Sequence, residues 1–378
     1  MPHPVTGLPV VGMIGAGQLA RMTQEAAGAL GLTLAVLAER AEDGAALVTP
    51  DLTLGAPDDA DRVLEFAGRC DVVTFDHEHV PADLVRAIEA AGTPTRPGAA
   101  ALVHAQDKKR MRESLSRLGL PVPDWAVADG PSAVARFAGR TGWPVVVKRP
   151  RGGYDGRGVF VAHGPGDVPD GPWPLLVEEL VAVRRELAAV LARRPSGQLA
   201  AWPVVETVQR DGVCVEVLAP APDLPADTAQ AALEIATRIA VDLDVAGVLA
   251  VELFETSTGL LVNELAMRPH NSGHWSIDGA VTSQFEQHLR AVLDWPLGDP
   301  SPRAPWIAMV NVLGGHGTDL AAALPVVLGT DPGLRVHLYG KLGRPGRKLG
   351  HVTAFGPDLA VVRERARRGA ARLTGEAT

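Results

Sequence analysis

The run Val10-Val11-Gly12-Met13-Ile14 breaks into Gly15-Ala16-Gly17-Gln18-Leu19-Ala20, and Arg21 to Leu30 then read as a helix. A short apolar strand, a glycine turn and a helix in that order admit few folds, because the helix has to pack back on a parallel sheet. The pattern continues with a strand at residues 33–38, a helix at 58–67 and a strand at 71–75. These residues predict a parallel α/β, Rossmann-like domain. Thr93-Pro94-Thr95-Arg96-Pro97-Gly98 interrupts both periods and closes a first unit at 1–98.

Residues 99–118 read as helical and carry Gln106-Asp107-Lys108. A strand ending at Lys148 then runs into Gly152-Gly153-Tyr154-Asp155-Gly156-Arg157-Gly158 and leaves through Val159-Phe160-Val161, which is a hairpin with a glycine tip. Residues 175–181 form another apolar run, 226–243 a helix, and 248–254 with 260–265 a second hairpin. The Pro-rich stretch 295–305 marks another boundary, giving units at 99–295 and 296–378. The last unit holds strands, turns and an amphipathic helix near 361–373. The fold class is therefore mixed α/β and α+β.

Composition excludes several classes. With 36 Lys+Arg against 44 Asp+Glu, net charge −8 and 4% aromatic residues, the chain is a poor match for a nucleic-acid surface. No stretch reaches the ~18 uncharged apolar residues of a membrane span. The first residues lack a basic segment and a small-residue cleavage site, so a cytoplasmic protein without membrane contact is expected. Cys70 and Cys214 stand alone, which gives no support to a disulfide framework.

The glycine turn fits the dinucleotide pattern G-x-G-x-x-A, with Glu39 closing the second strand as a ribose-binding acid would. Backbone amides at a helix N-terminus hold any phosphate, so a sugar phosphate fits as well, and a tight structural turn is the plain alternative. Lys148 and the glycine tip suit a flap over phosphates; the alternative is an exposed hairpin. Glu252 and Glu264, with Asn263, gather hard oxygen donors suited to Mg²⁺ and phosphates. A simple turn would leave the two carboxylates one step out of phase, so a bulge is expected; a solvated acidic edge is the alternative. Arg268-Pro269-His270-Asn271-Ser272-Gly273-His274-Trp275 is dense in donors and reads as a substrate-anchoring loop. Asp76-His77-Glu78-His79 lacks the further ligands a zinc site needs, and Arg363, Arg365, Arg367 and Arg368 read as a solvated helix face.

Lys148, the glycine tip, residues 177–181, Glu186, Glu252 and Asn263-Glu264 follow in the order of an ATP-grasp enzyme. Within that superfamily, the strings at 17–22, 152–158, 263–266, 268–275 and 344–348, with Gly350-His351, resemble the N5-carboxyaminoimidazole ribonucleotide synthetase family. The resemblance implies an N-terminal α/β domain, a central ATP-grasp domain and a small β-rich C-terminal domain. It also implies ATP- and bicarbonate-dependent carboxylation of 5-aminoimidazole ribonucleotide through carboxyphosphate, in purine biosynthesis, by a homodimer.

By matching position, Lys108 and Lys148 would contact ATP, residues Gly153, Tyr154, Asp155, Gly156, Arg157, Gly158 and Val159 would form the flap, and Glu178, Glu179, Leu180 and Val181 would flank the adenine. Glu186 would hold the ribose, with Gln209 and Asn263 completing the nucleotide site. Glu252 and Glu264 would hold Mg²⁺, with Mn²⁺ as an alternative. The ribonucleotide would meet Gly17, Gln18, Leu19, Glu78, Tyr154, Asp155, Arg268, His270, Asn271, Lys341, Arg347 and Lys348. Asp155, Arg157, Arg268 and His270 would carry the chemistry, Arg268 at the bicarbonate oxygens and Asp155 or His270 at the proton. Two runs depart from the family pattern. Phe75-Asp76-His77-Glu78 replaces Phe-Glu-Phe-Glu, leaving Glu78 with the substrate role, and Gln209 stands where many members have His. The rival readings are a sister ATP-grasp ligase, which would lack the 268–275 string, and a dinucleotide-binding oxidoreductase or ligand-sensing module, which would leave the flap and both acidic strands idle.

Overall fold

Strands flanked by helices on both faces must be apolar on both sides, and the first four are. In the computed structural model, which describes residues 2–152, 158–315 and 318–375, β1 (Val10–Ile14), β2 (Thr33–Ala38), β3 (Asp51–Leu54) and β4 (Val72–Phe75) form a parallel sheet in the order β3-β2-β1-β4. Neighbouring residues point to opposite cores: Ile14 and Leu37 pack with Val63 and Phe66, while Met13 and Val36 pack with Ala20 and Ala27. The edge strand β3 was not expected from the sequence; its four residues are half-buried or exposed and carry no apolar run.

Two helix boundaries differ from expectation. The first helix begins at Gln18 rather than Arg21, because Asp76 at the end of β4 accepts from the amides of Gly17 and Ala20 at 2.9 and 2.7 Å. The stretch 99–118 is two helices, Ala99–Gln106 and Lys108–Arg117, not one. Asp107 leaves helical geometry (φ −135°, ψ 105°), and its carboxylate caps the second helix at Lys109 N and Arg110 N.

Next, β5 (Trp125–Ala128), β6 (Val145–Lys148), β7 (Val159–Ala162) and β8 (Leu175–Glu179) form an antiparallel sheet in the order β5-β8-β6-β7. Val145, Val147 and Val177 bury its inner face against Phe137 of the helix Pro131–Thr141. The remaining strands are β9 (Arg185–Arg193), β10 (Leu199–Ala201), β11 (Val205–Arg210), β12 (Val213–Ala219), β13 (Gly247–Thr256), β14 (Gly259–Ala266), β15 (Trp306–Leu313), β16 (Arg335–Leu338) and β17 (Lys348–Gly356). They make one sheet, β14-β13-β9-β11-β12-β15-β17-β16, with β10 beside β9. The strands after the Pro-rich stretch thus extend the sheet before it, through the pairing of β12 with β15.

The arginines of the C-terminal helix, Leu359–Thr374, are only in part a solvated face: Arg367 and Arg368 are exposed, but three of the four reach acids on other elements. Arg363 and Arg367 both donate to Glu216 of β12, each with a contact of 2.7 Å, and Arg365 binds Asp331 at 2.7 Å. Glu216 is 2% exposed, and a carboxylate that deep requires paired cations. Elsewhere, helix Gln284–Val292 ties the first sheet to the large one. Its His288 faces Thr74 Oγ1 of β4 at 2.8 Å and accepts from Val248 N of β13 at 3.1 Å.

Candidate active site

The ladder of β13 and β14 pairs Leu253 with Val262 and then Glu252 with Glu264, so Asn263 is an extra residue on one strand. This bulge puts both carboxylates on one face. Lys108, the first residue of its helix, forms an ion pair with Glu264. Burial, then the charges of Glu264 and Glu186, push the Glu252 carboxyl up to about 8. His270 Nε2 lies 3.4 Å from Glu252 Oε1, and burial, with Arg268 and Lys348 adding to it, pushes that imidazole down to about 3. A neutral imidazole therefore faces a carboxyl that holds its proton near neutral pH. Among the described residues no cluster of three His, Cys, Asp or Glu is preassembled for a metal. Glu252, Glu264 and the Asn263 amide supply a partial hard-oxygen set, which suits Mg²⁺ whose other ligands are phosphates and water; a bound cation would favour the charged form of Glu252.

Lys148 ends β6 and donates to Glu178 at 2.6 Å, with Asn263 Oδ1 at 3.5 Å. Arg112, wholly buried, binds the other Glu178 oxygen at 2.6 Å and donates to the carbonyls of Val262 and Asn263 at 3.0 and 2.9 Å. Burial alone would raise the Glu178 pKa; Lys148 and Arg112 overcome it and hold the carboxylate below its ordinary range. The Glu178 carboxylate thus has both oxygens engaged and orients Lys148, while the adenine pairing expected of strand residues 178–181 concerns their backbone. Glu179 accepts from Asp124 N at 3.0 Å, and Val159 and Leu180 are exposed, with Val181 half-buried between the two lobes' strands. Glu186 is raised by burial and accepts a hydrogen bond from Gln209. The pairing of Lys148 with Val159 fixes the base of the hairpin, where Gly158 has φ +76°. Gly153, Tyr154, Asp155, Gly156 and Arg157 lie outside the described residues.

At the glycine turn Gly15 has φ +99°, and a Cβ on Gly17 would meet Asp76 Oδ2 at 2.4 Å. Asp76, which in the sequence stands only in a run too poor in ligands for zinc, instead ties this turn to the end of β4. A cavity of about 500 Å³ opens here, lined by Gly15, Gly17, His77, Lys341 and Arg347, with Glu39 on its wall. Lys341 Nζ donates to Gln18 Oε1 at 2.7 Å, joining positions 323 residues apart. The Arg347 guanidinium is depressed by burial and by Arg344 and Arg40; with Lys341 it faces a lining that also carries Arg40 and the acids Glu39, Glu42, Asp43 and Asp76. Leu19, by contrast, is buried against Met22, Phe285 and Tyr339, leaving only its backbone for a ligand.

The 268–275 segment spans both regions. Arg268 Nε binds Glu78 at 2.9 Å, and the other Glu78 oxygen is buried without a hydrogen-bond partner among the described residues. Asn271, expected at a ligand, is buried with its amide paired in both directions to Asn311 at 3.0 and 2.7 Å. Lys348 opens β17 close enough to lower the pKa of both Glu252 and His270.

A lysine-bearing hairpin on a small antiparallel sheet, facing paired carboxylates on a large one, defines an ATP-grasp ligase. Family models match segment by segment: the ribonucleotide synthetase preATP-grasp domain over residues 8–106, the ATP-grasp domain over 113–285 and the phosphoribosylaminoimidazole carboxylase C-terminal domain over 307–365. The chain is 54% identical over 376 residues to N5-carboxyaminoimidazole ribonucleotide synthase of Mycobacterium tuberculosis, covering 95% of this chain and 86% of that one. It belongs to the N5-carboxyaminoimidazole ribonucleotide synthase family. Its fold superposes on the Thermus thermophilus synthetase with TM-score 0.87 at 36% identity, covering 97% of this chain and 99% of that one. The Aspergillus clavatus synthase in complex with ADP and 5-aminoimidazole ribonucleotide gives TM-score 0.88 at 29% identity, covering 97% and 98%.

Proposed function

We propose that this chain uses ATP and bicarbonate to carboxylate the exocyclic amine of 5-aminoimidazole ribonucleotide, releasing ADP and phosphate. The observation that carries the reading is the 268–275 segment, which reaches the carboxylate pair through His270 and, through His274, Gln18 and Lys341, the glycine-turn cavity, and so supports an ATP site and a sugar-phosphate site side by side.

Lys148, aimed by Glu178, and Lys108 hold the ATP phosphates. Glu252, Glu264 and the Asn263 oxygen would hold Mg²⁺, which neutralises charge on the transferring phosphoryl group. A bicarbonate oxygen attacks the γ-phosphorus, the bond to the β-phosphate oxygen breaks, and carboxyphosphate and ADP result. Arg268 stabilises the oxygens that gain charge. Carboxyphosphate then splits its carbon–oxygen bond into carbon dioxide and phosphate, and the amine nitrogen attacks the carbon and gives up a proton. His270, neutral and beside Glu252, would accept a hydrogen bond from the amine and guide the departing proton, and Glu78, with its free oxygen, would accept another.

The ribose phosphate sits at the amides of Gln18 and Leu19, with Lys341 and Arg347 facing it. Asp76 already engages the Gly17 and Ala20 amides, which narrows the turn to one phosphate and favours a sugar phosphate over a dinucleotide. Work in the cytoplasm as a homodimer completes this reading; among the described residues no helix is long and apolar enough to cross a membrane. ADP release tests it: turnover should require both the ribonucleotide and bicarbonate. Replacement of bicarbonate by formate with full turnover would assign a sister ligase instead.

A further inference from the structure

His274 is wholly buried and has no part in the mechanism above, yet its ring connects two of that mechanism's elements. Gln284, equally buried, accepts from His270 N at 2.9 Å and donates to His270 O at 2.8 Å, which fixes which end of its amide is which. The second Gln284 N–H therefore points at His274 Nδ1, 2.9 Å away. Nδ1 must accept. His274 is held neutral by burial and by His351 and His270, so its single ring proton sits on Nε2.

That Nε2–H faces the Gln18 side-chain amide at 3.3 Å, and the nearer Gln18 atom is its own N–H donor, Nε2. Two donors meet. Gln18 cannot turn over at no cost, because its carbonyl oxygen holds the Lys341 ammonium at 2.7 Å. The amide thus faces two donors that both require its oxygen, and it can give that oxygen fully to His274 once Lys341 has another anion to bind. We propose that His274 is a positioning residue: when an anion enters the glycine-turn cavity and takes Lys341, His274 turns the Gln18 carbonyl toward itself and the Gln18 NH₂ toward that anion. The anion is a phosphate monoester, and the inference rests on the cavity being the ribose-phosphate site. Gln284, anchored to the backbone of His270, makes the orientation of Gln18 depend on the same segment that faces Glu252.

The test compares KM for 5-aminoimidazole ribonucleotide and for the phosphate-free riboside in the wild type, His274→Leu, His274→Gln and His274→Asn. A Gln amide N–H reaches the place of imidazole Nε2, whereas the shorter Asn does not. Leu and Asn should raise KM for the ribonucleotide about tenfold or more, as loss of one charge-assisted hydrogen bond does. Gln should restore it, and KM for ATP and for the riboside should stay at the wild-type value. Equal KM for ribonucleotide and riboside in the wild type would retire the ribose-phosphate reading itself. A wild-type preference for the ribonucleotide that survives in His274→Leu overturns only the role of His274. Nitrogen-15 shifts of the histidines in the intact wild-type protein read the tautomer independently of any variant's folding. An Nδ1–H form of His274 overturns the proposal, and an Nε2–H form that persists with ligand supports it.

Discussion

Glu252 and Glu264 stand opposite each other across an antiparallel ladder only because Asn263 is inserted into one strand between Glu264 and the turn. Were the ladder regular through Asn263, Glu252 would face Asn263, and Glu264 would project from the other side of the sheet. The pair is electrostatically uncomfortable as it stands, with Glu252 raised to about 8 and Glu264 held by Lys108.

Glu264→Gln should therefore abolish ADP release while leaving the melting temperature unchanged or slightly higher. The change removes a hard oxygen ligand and also relieves like-charge repulsion beside a buried carboxyl. Turnover assays and thermal unfolding of the same preparation check both halves; a folded variant with normal turnover would refute the metal assignment.

The bulge was legible in the sequence because it follows from counting: a hairpin of known turn length with two carboxylates of opposite parity needs one inserted residue. Lys148 and its hairpin partner Val159 were legible for the same local reason. What was not legible depended on partners far away in the chain. Asp76 caps a helix 56 residues earlier, Glu178 is turned inward by Arg112, and Arg363 and Arg367 reach back to the buried Glu216. A charge on a helix reads as solvated until the buried acid that claims it is placed. The pairing of Asn271 with Asn311 was hidden likewise, since Asn311 lies in the third segment. The one-helix reading of residues 99–118 failed for the opposite reason: Asp107 is a strong N-cap residue, and a helical period on both sides of it hid the break.

Arg112 holds the two lobes together through Glu178 and the carbonyls at the bulge, so Arg112→Met should destabilise the chain by about 3–5 kcal/mol, the range for breaking one side of a buried ion pair. Urea unfolding measures it. Adding Glu178→Gln to that variant removes the stranded charge and should recover part of the loss; no recovery would mean that the cost lies in the carbonyl contacts instead.

His288 is wholly buried and pushed down to about 3 by burial, from the 6.5 it has when exposed. Between those values the unfolded chain binds a proton that the folded chain refuses. The contribution of His288 is therefore full above about pH 6.5 and declines as the pH falls toward 3, by about 1.4 kcal/mol per pH unit for each such histidine, while Glu252, raised to about 8, acts in the opposite direction. His270, His274 and His351 are depressed in the same direction and add to the slope. Denaturant unfolding between pH 5 and 7 should show this decline, and His288→Asn, whatever its effect at pH 7, should make it shallower by one proton's worth. Equal slopes in the two proteins would remove His288 from the account.

The chemistry makes the strongest demand on Arg268, which is half-buried in a segment carrying His270 and is oriented by Glu78 at 2.9 Å. If bicarbonate attacks the γ-phosphorus, the attacking oxygen stays with phosphorus when carboxyphosphate breaks down to carbon dioxide. Oxygen-labelled bicarbonate must then deliver one label to the released phosphate, under conditions that suppress exchange with water. Arg268→Ala should cut that transfer sharply, since a lost charge-assisted contact to a developing oxyanion costs on the order of 3 kcal/mol, roughly a hundredfold in rate. Glu78→Gln keeps a hydrogen-bond acceptor but removes the charge that orients Arg268, so its loss should be smaller and in the same step. Unlabelled phosphate from the wild-type enzyme would mean that carbon dioxide is captured directly and that Arg268 serves the nucleotide or the ribonucleotide instead.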